Sequence, residues 1–223
     1  MHQTWEDLLF LHWSFDPELL RAIVPAPLEL DLFDDKAWIG ITPFRVTGLK
    51  LVGAPEIPGF NAFDELNVRT YVHYKGIPGI YFLSLDASKL IPALAARLFY
   101  TLPYYKAQID YTKVGNEFFY DLKRTTGPCV MFNAHWTKGI RLQDPALESL
   151  AFFLVERYCF FTAQSNSVQM TRIYHHPWIL DEARVLSCAS TMLNECGLSE
   201  PHTESLAYFS SFVDVDIWPP QAI

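Results

Sequence analysis

The segment Glu65-Leu-Asn-Val-Arg-Thr-Tyr-Val72 carries an acid, an amide, a guanidinium and a phenol at every second position: Glu65, Asn67, Arg69 and Tyr71. Between them stand Leu66, Val68, Thr70 and Val72, mostly apolar and mostly β-branched. A strand points alternate side chains to opposite faces, so this spacing packs one face into a core and gathers four polar groups on the other. Such a set can hold a small polar molecule. Arg69 would grip a carboxylate or carbonyl oxygen, Glu65 would act as base or orient Arg69, and the phenol would donate hydrogen bonds. The competing reading is a solvated sheet face with Glu65 and Arg69 as a surface ion pair, which is worth little. Asn67 and Tyr71 beside the charges favour a pocket, because such groups are costly to order on a bare surface. A chain this rich in strands also buries its faces only if a sheet curls on itself, which creates an interior.

Nearby segments extend the set. Ser84 and Asp86 share a face in an alternating run and could join the polar group; Asp86 could equally cap a following helix. Lys106, in Pro103-Tyr-Tyr-Lys-Ala-Gln108, shares a face with Tyr104 and Gln108. A lysine becomes nucleophilic when desolvated or set beside another cation, for which Arg97 and Arg69 are the conceivable neighbours. A solvated strand lysine is the commoner state. The histidines are scattered: His12, His73, His135 and the adjacent pair His175-His176. Adjacent strand residues point oppositely, so that pair is a poor chelate, and His135 with Asn133 and Thr137 reads as structural. There is no GxSxG, P-loop or GxGxxG. No metal or cofactor is expected.

The elements that would position these residues follow from the punctuation. Fifteen prolines and ten glycines break the chain at regular intervals, as a strand-rich fold requires. Strands are predicted over residues 8–15, 28–32, 37–47, 63–74 and 80–86, with 28–47 as a hairpin about Asp34-Asp35 and a loop over 51–60. Asp16-Pro17 opens a short helix, with Asp as N-cap and Pro at the first helical position. The apolar stripe of Leu90, Ile91, Leu94, Ala95, Leu98 and Phe99 predicts a helix over 90–102, stopped by Pro103. A meander over 104–138, a helix from Asp144-Pro145 to about 155, strands near 160, 169–175, 183–187 and 205–217, and a helical turn ending at Gly197 complete the reading. The fold class is α+β, predominantly antiparallel β, with two or three peripheral helices in a single domain over 1–223.

Composition bounds the rest. With 223 residues, 50% hydrophobic and 15% aromatic, the chain can build one sizeable core. A formal net charge of −8 repels phosphate backbones, so no nucleic-acid partner is expected. Four cysteines without a CxxC pair suggest neither a zinc ribbon nor a redox site. The N-terminus lacks a signal-peptide pattern, and no run approaches the ~20 apolar residues of a membrane span. The expectation is a reduced, cytoplasmic protein without membrane contact, and a homo-oligomer if its aromatics are exposed.

Several motifs together resemble the YqjF-like family of bacterial proteins, a domain of unknown function. They are His12-Trp13, Pro25 with Leu28 and Leu30, the run from Glu65 to Val72, Phe82-Leu-Ser-Leu-Asp-Ala87 and Ala96-Arg97 followed by Leu102-Pro-Tyr104. Glu156-Arg-Tyr158, His176-Pro-Trp178 and Val215-Asp-Ile-Trp218 follow in order. That family is similar in turn to acetoacetate decarboxylase-like proteins. The resemblance implies a mostly antiparallel sheet curled into a cone-shaped barrel around a pocket. In the decarboxylases a glutamate and a lysine line that pocket, and the lysine forms a Schiff base with a β-keto acid. Glu65 falls where the glutamate belongs. Where the pattern has proline followed by lysine, this chain has Pro103-Tyr104, and Lys106 follows shortly after.

The leading reading is a protein that binds a small oxo- or carboxylate-bearing molecule in an internal pocket, and is an enzyme if it turns that molecule over. Glu65, Arg69 and Lys106 are the candidate catalytic residues; Asn67, Tyr71, Ser84, Arg97 and Tyr104 are the candidate ligand-binding residues. The alternatives are a non-catalytic sensing module with the same pocket and a Schiff-base lyase using Lys106.

Overall fold

The computed structural model describes residues 1–50, 53, 61–89, 102–164, 167–201 and 203–223. In chain order the strands are β1 (His2–Phe15), β2 (Glu29–Leu30), β3 (Ala37–Lys50), β4 (Phe63–Tyr74), β5 (Ile77–Ala87), β6 (Tyr104–Val114) and β7 (Glu117–Arg124). They continue as β8 (Met131–Arg141), β9 (Cys159–Gln164), β10 (Ser167–His175), β11 (Asp181–Ser190), β12 (Leu206–Ile217) and β13 (Gln221–Ala222). Three short helices are described: α1 (Pro17–Arg21), α2 (Leu150–Val155) and α3 (Met192–Glu195). No helix among the described residues is long and apolar enough to cross a membrane.

Local chemistry explains most boundaries. The Asp16 carboxylate accepts the Glu18 N–H at 2.9 Å and Pro17 sits in the first turn, so α1 starts where its cap predicts. The β4–β5 hairpin turns on Lys75 and Gly76, with φ of 50° and 78°. Two left-handed residues match the twist of a tight hairpin. Two expectations change. β2 pairs with β4 rather than β3, so the hairpin over 28–47 shrinks to one bridge, Phe33 to Lys36, around Asp34-Asp35. The helix at Asp144-Pro145 begins only at Leu150, because Ser149 supplies the cap by accepting the Phe152 N–H. The helix over 90–102, apart from Leu102, and the loop over 51–60, apart from Gly53, lie outside the described residues.

All the strands join one sheet, ordered β13-β10-β9-β5-β6-β7-β8-β11-β12-β1-β3-β4-β2, and two further pairings, β4 with β5 and β10 with β12, curl it on itself. The result is not a regular barrel. Two circuits of hydrogen-bonded strands close, and both use β12, β1, β3, β4 and β5. One continues through β6, β7, β8 and β11; the other through β9 and β10. The shared strands form a wall with an interior on each side. Leu9, Leu11, Leu66, Val68, Phe118, Phe132, Trp136 and Phe209 fill the first circuit. Leu8, Phe10, Tyr71, Leu85, Val213 and Val215 face the second, and Leu154 and Val155 of α2 pack there too. The tryptophan ring of Trp178 ties α2 in place by donating to the Val155 carbonyl at 2.9 Å.

Candidate functional site

The polar side of β4 faces the second circuit. Glu65, Asn67 and Arg69 are only 5%, 5% and 6% exposed, so the surface ion-pair reading fails. Strand register arranges them in rows. Phe44, Glu65 and Ala87 are partners across β3, β4 and β5; Thr42, Asn67 and Leu85 form the next row, and Gly40 faces Arg69. Tyr104 opens β6 as the parallel partner of Leu85, and its hydroxyl donates to Glu65 Oε2 at 2.9 Å. Burial pushes the Glu65 carboxyl up to about 8; the Tyr104 hydrogen bond pulls it back and Asp86 adds to the rise. Glu65 therefore holds a proton at neutral pH.

Arg69 meets the Tyr71 hydroxyl but pairs with no carboxylate among the described residues. Its guanidinium carbon lies 5.4 Å from the Phe10 ring centroid, and among the described residues Nε and Nη2 have no hydrogen-bond acceptor. Asn67 Oδ1, Thr42 Oγ and both ring nitrogens of His12 are likewise buried and unpaired. These orphaned atoms crowd onto one face. Single buried polar atoms such as the Tyr120 hydroxyl and Trp136 Nε1 are unpaired elsewhere among the described residues, but here an arginine, an amide, a hydroxyl and an imidazole are unpaired on neighbouring strand positions, each unmade bond costing roughly 1–3 kcal/mol. Tyr71 forms part of the wall: its hydroxyl donates to the Leu154 carbonyl at 2.8 Å, and Arg157, paired with Asp31 at 2.6 Å, stacks over its ring.

The structure thus brings together Glu65, Asn67, Arg69, Tyr71 and Tyr104. It does not bring Ser84 to them. Val68 pairs with Ser84 but Arg69 pairs with Phe82, so β5 carries one extra residue at this point. The extra residue flips the alternation. Ile80, Phe82, Leu85 and Ala87 face the site, whereas Ser84 and Asp86 face the first circuit. There Asp86 accepts two hydrogen bonds from Arg124, at 2.7 Å each, and Ser84 donates to Asp86 at 3.0 Å. Asp86 is a buried ion-pair partner within β5. Lys106 falls in register with Ala87 and Glu65, yet its side chain is exposed. Arg97 lies outside the described residues. His135 is a satisfied surface residue, 3.0 Å from Glu117 and stacked on Phe119.

The same irregularity in β5 borders a cleft. The strand pairs with β9 at Ile80 and Tyr81 and with β6 at Leu85 through Ala87. Between those pairings the sheet forks, and a cleft of about 760 Å³ lies there, lined by Phe82, Leu83, Ser84, Pro103, Tyr104 and Gln164 among others. Phe82 and Tyr104, on its inner wall, are the direct neighbours of Arg69 and Glu65. His12 was the functional candidate that sequence reasoning missed. The signal was a lone polar residue on the apolar even face of Leu8, Phe10 and His12.

The curled sheet is that of acetoacetate decarboxylase-like proteins. A solved structure titled enduracididine biosynthesis enzyme MppR complexed with pyruvate superposes with a TM-score of 0.69 over 99% of this chain and 89% of that one, at 13% identity. An acetoacetate decarboxylase-like enzyme from Sphingomonas wittichii RW1 gives 0.67 over 100% and 92%, also at 13% identity. Acetoacetate decarboxylase from Legionella pneumophila gives 0.64 over 100% and 86%, at 16% identity. The chain belongs to the DUF2071 family, described as an uncharacterized conserved protein, which it matches over residues 2–214. It is 41% identical over 219 residues to the uncharacterized protein YqjF of Bacillus subtilis, covering 98% of this chain and 90% of that protein.

Proposed function

We propose that the second circuit binds a small monocarboxylate, such as a 2-oxo acid, with Arg69 as the anchor for its carboxylate. The observation that carries this reading is a buried guanidinium with two unpaired donors beside an acid that is neutral at pH 7. Removing a charge from water costs several kcal/mol unless an opposite charge meets it. Glu65 does not supply that charge, because it keeps its proton and turns to Tyr104. The site then carries one net positive charge, which suits a monoanion. Asn67 and Thr42 offer further polar contacts, and the protonated Glu65 can donate to a carbonyl oxygen or pass a proton to carbon or oxygen. The solved neighbour bound to pyruvate supports this choice of ligand class.

Titration calorimetry with pyruvate tests it. Binding should be seen with the natural chain and weaken at least tenfold in Arg69→Met, the loss of a charge-assisted hydrogen bond. Unchanged affinity in that variant would sink the reading. Lys106 has no part in it. Borohydride added to the pyruvate complex should therefore leave the protein mass unaltered, and an adduct lost in Lys106→Ala would restore the Schiff-base route instead.

A further inference from the structure

His12 is 1% exposed, and among the described residues neither ring nitrogen has a hydrogen-bond partner. The other buried histidine among the described residues, His175, differs: its Nδ1 lies 2.8 Å from the His176 carbonyl. Register explains where His12 points. It faces Gly40 on β3, and Gly40 in turn faces Arg69 on β4. A Cβ placed on Gly40 would come within 3.2 Å of both His12 Cδ2 and Arg69 Nε. The missing side chain lets imidazole and guanidinium close over the glycine from either side. The remaining walls are aromatic, with the Phe10, Tyr71 and Tyr208 rings 6.2–6.4 Å away centre to centre. Burial and then Arg69 hold the imidazole well below its usual range, so it is neutral, with one N–H and one lone pair to satisfy.

We propose that His12 completes the ligand site: it accepts the hydroxyl of a small hydroxy acid, or the enol of an oxo acid, whose carboxylate Arg69 holds. This rests on the reading of Arg69 as the carboxylate anchor. A lone pair beside a guanidinium requires a ligand that is an acceptor at one end and a donor at the other. A 2-hydroxy acid has that pattern across two adjacent carbons. A second carboxylate does not fit, because Arg124 and Arg157 are already paired with Asp86 and Asp31. It would meet a neutral imidazole with no compensating charge.

Lactate and propionate, which differ by the hydroxyl alone, separate the possibilities by titration calorimetry. The natural chain should bind lactate about tenfold more tightly than propionate, the equivalent of one buried hydrogen bond. His12→Phe keeps the ring and its packing; it should lower lactate affinity about tenfold and leave propionate within about twofold. Should that variant not fold, His12→Gln and the histidine ring ¹⁵N spectrum of the natural chain decide. One buried, neutral ring should shift with lactate and not with propionate. Equal affinity for the two acids, or an equal loss of both in the variants, overturns the role of His12 and leaves Arg69 in place. Failure of the natural chain to bind either acid overturns both.

Discussion

Arg124 and Arg69 lie on opposite sides of one wall, each buried and each near a buried carboxyl group on the central strands. Arg124 grips Asp86 through Nε and Nη2, with Ser84 completing the set and only Nη1 left over. Its guanidinium also covers the Tyr105 ring at 3.8 Å. Arg69 has the same chemistry available and does not use it: Glu65 is occupied by Tyr104, and the guanidinium meets the Tyr71 hydroxyl while Nε and Nη2 have no acceptor among the described residues. A closed ion pair fixes strands; in the proposed reading the open charge is met instead by a ligand carboxylate. Types and burial of the two arginines are alike, so what separates them is whether a carboxylate meets the guanidinium.

The largest effect that could break this contrast is Arg124→Met. It strands Asp86, which has no exposure, and should cost about 3–5 kcal/mol in denaturant unfolding, the penalty of an unpaired buried charge. Arg69→Met should cost less than about 1 kcal/mol, or stabilise the fold, because it removes a charge that was unpaired already. Equal losses would mean that Arg69 is structural.

Next in size is Glu65→Gln. Below pH 4.5 both folded and unfolded chains hold the Glu65 proton. From there to about pH 8 only the folded chain holds it, so stability falls as pH rises. The variant should lose this slope and gain a few kcal/mol over the natural chain at pH 9. His12 acts in the opposite sense: its folded state resists protonation, so the stability it allows is lost as pH falls below about 6.5. A stability that still falls with rising pH in Glu65→Gln between 6.5 and 8 would shift the cause to another group.

The smallest expected change is in Gly40→Ala. Arg69 and His12 need move only a few tenths of an ångström, so stability should stay within about 1 kcal/mol. Pyruvate affinity should nonetheless fall several-fold, because the two side chains are pushed apart. An unaltered affinity would show that their spacing is not what the ligand reads.

Much of this was legible locally. The alternation from Glu65 to Val72 places Arg69 correctly, since one strand suffices to assign faces. Residues 63–74 are predicted with the observed bounds, because glycine and proline clusters flank the strand on both sides. What was not legible depends on partners far along the chain. Tyr104 meets Glu65 across 39 positions, and only the crossing of β6 beside β5 unites them. Ser84 was assigned to the wrong side because one inserted residue in β5 reverses the pattern, and no propensity marks that bulge. His12 was passed over because its significance lies in what it lacks, and a sequence does not display an unmade hydrogen bond.

The shared wall has a consequence for how its strands can change over time. Alternation of polar and apolar residues ordinarily records an inside and an outside, and the outside is free to drift. In β4 it records two insides, one met by mostly apolar side chains and one by polar ones. Neither set of positions is buffered by water, so the strand has no permissive side on which substitutions can accumulate. Its vocabulary is held by two separate interiors at once.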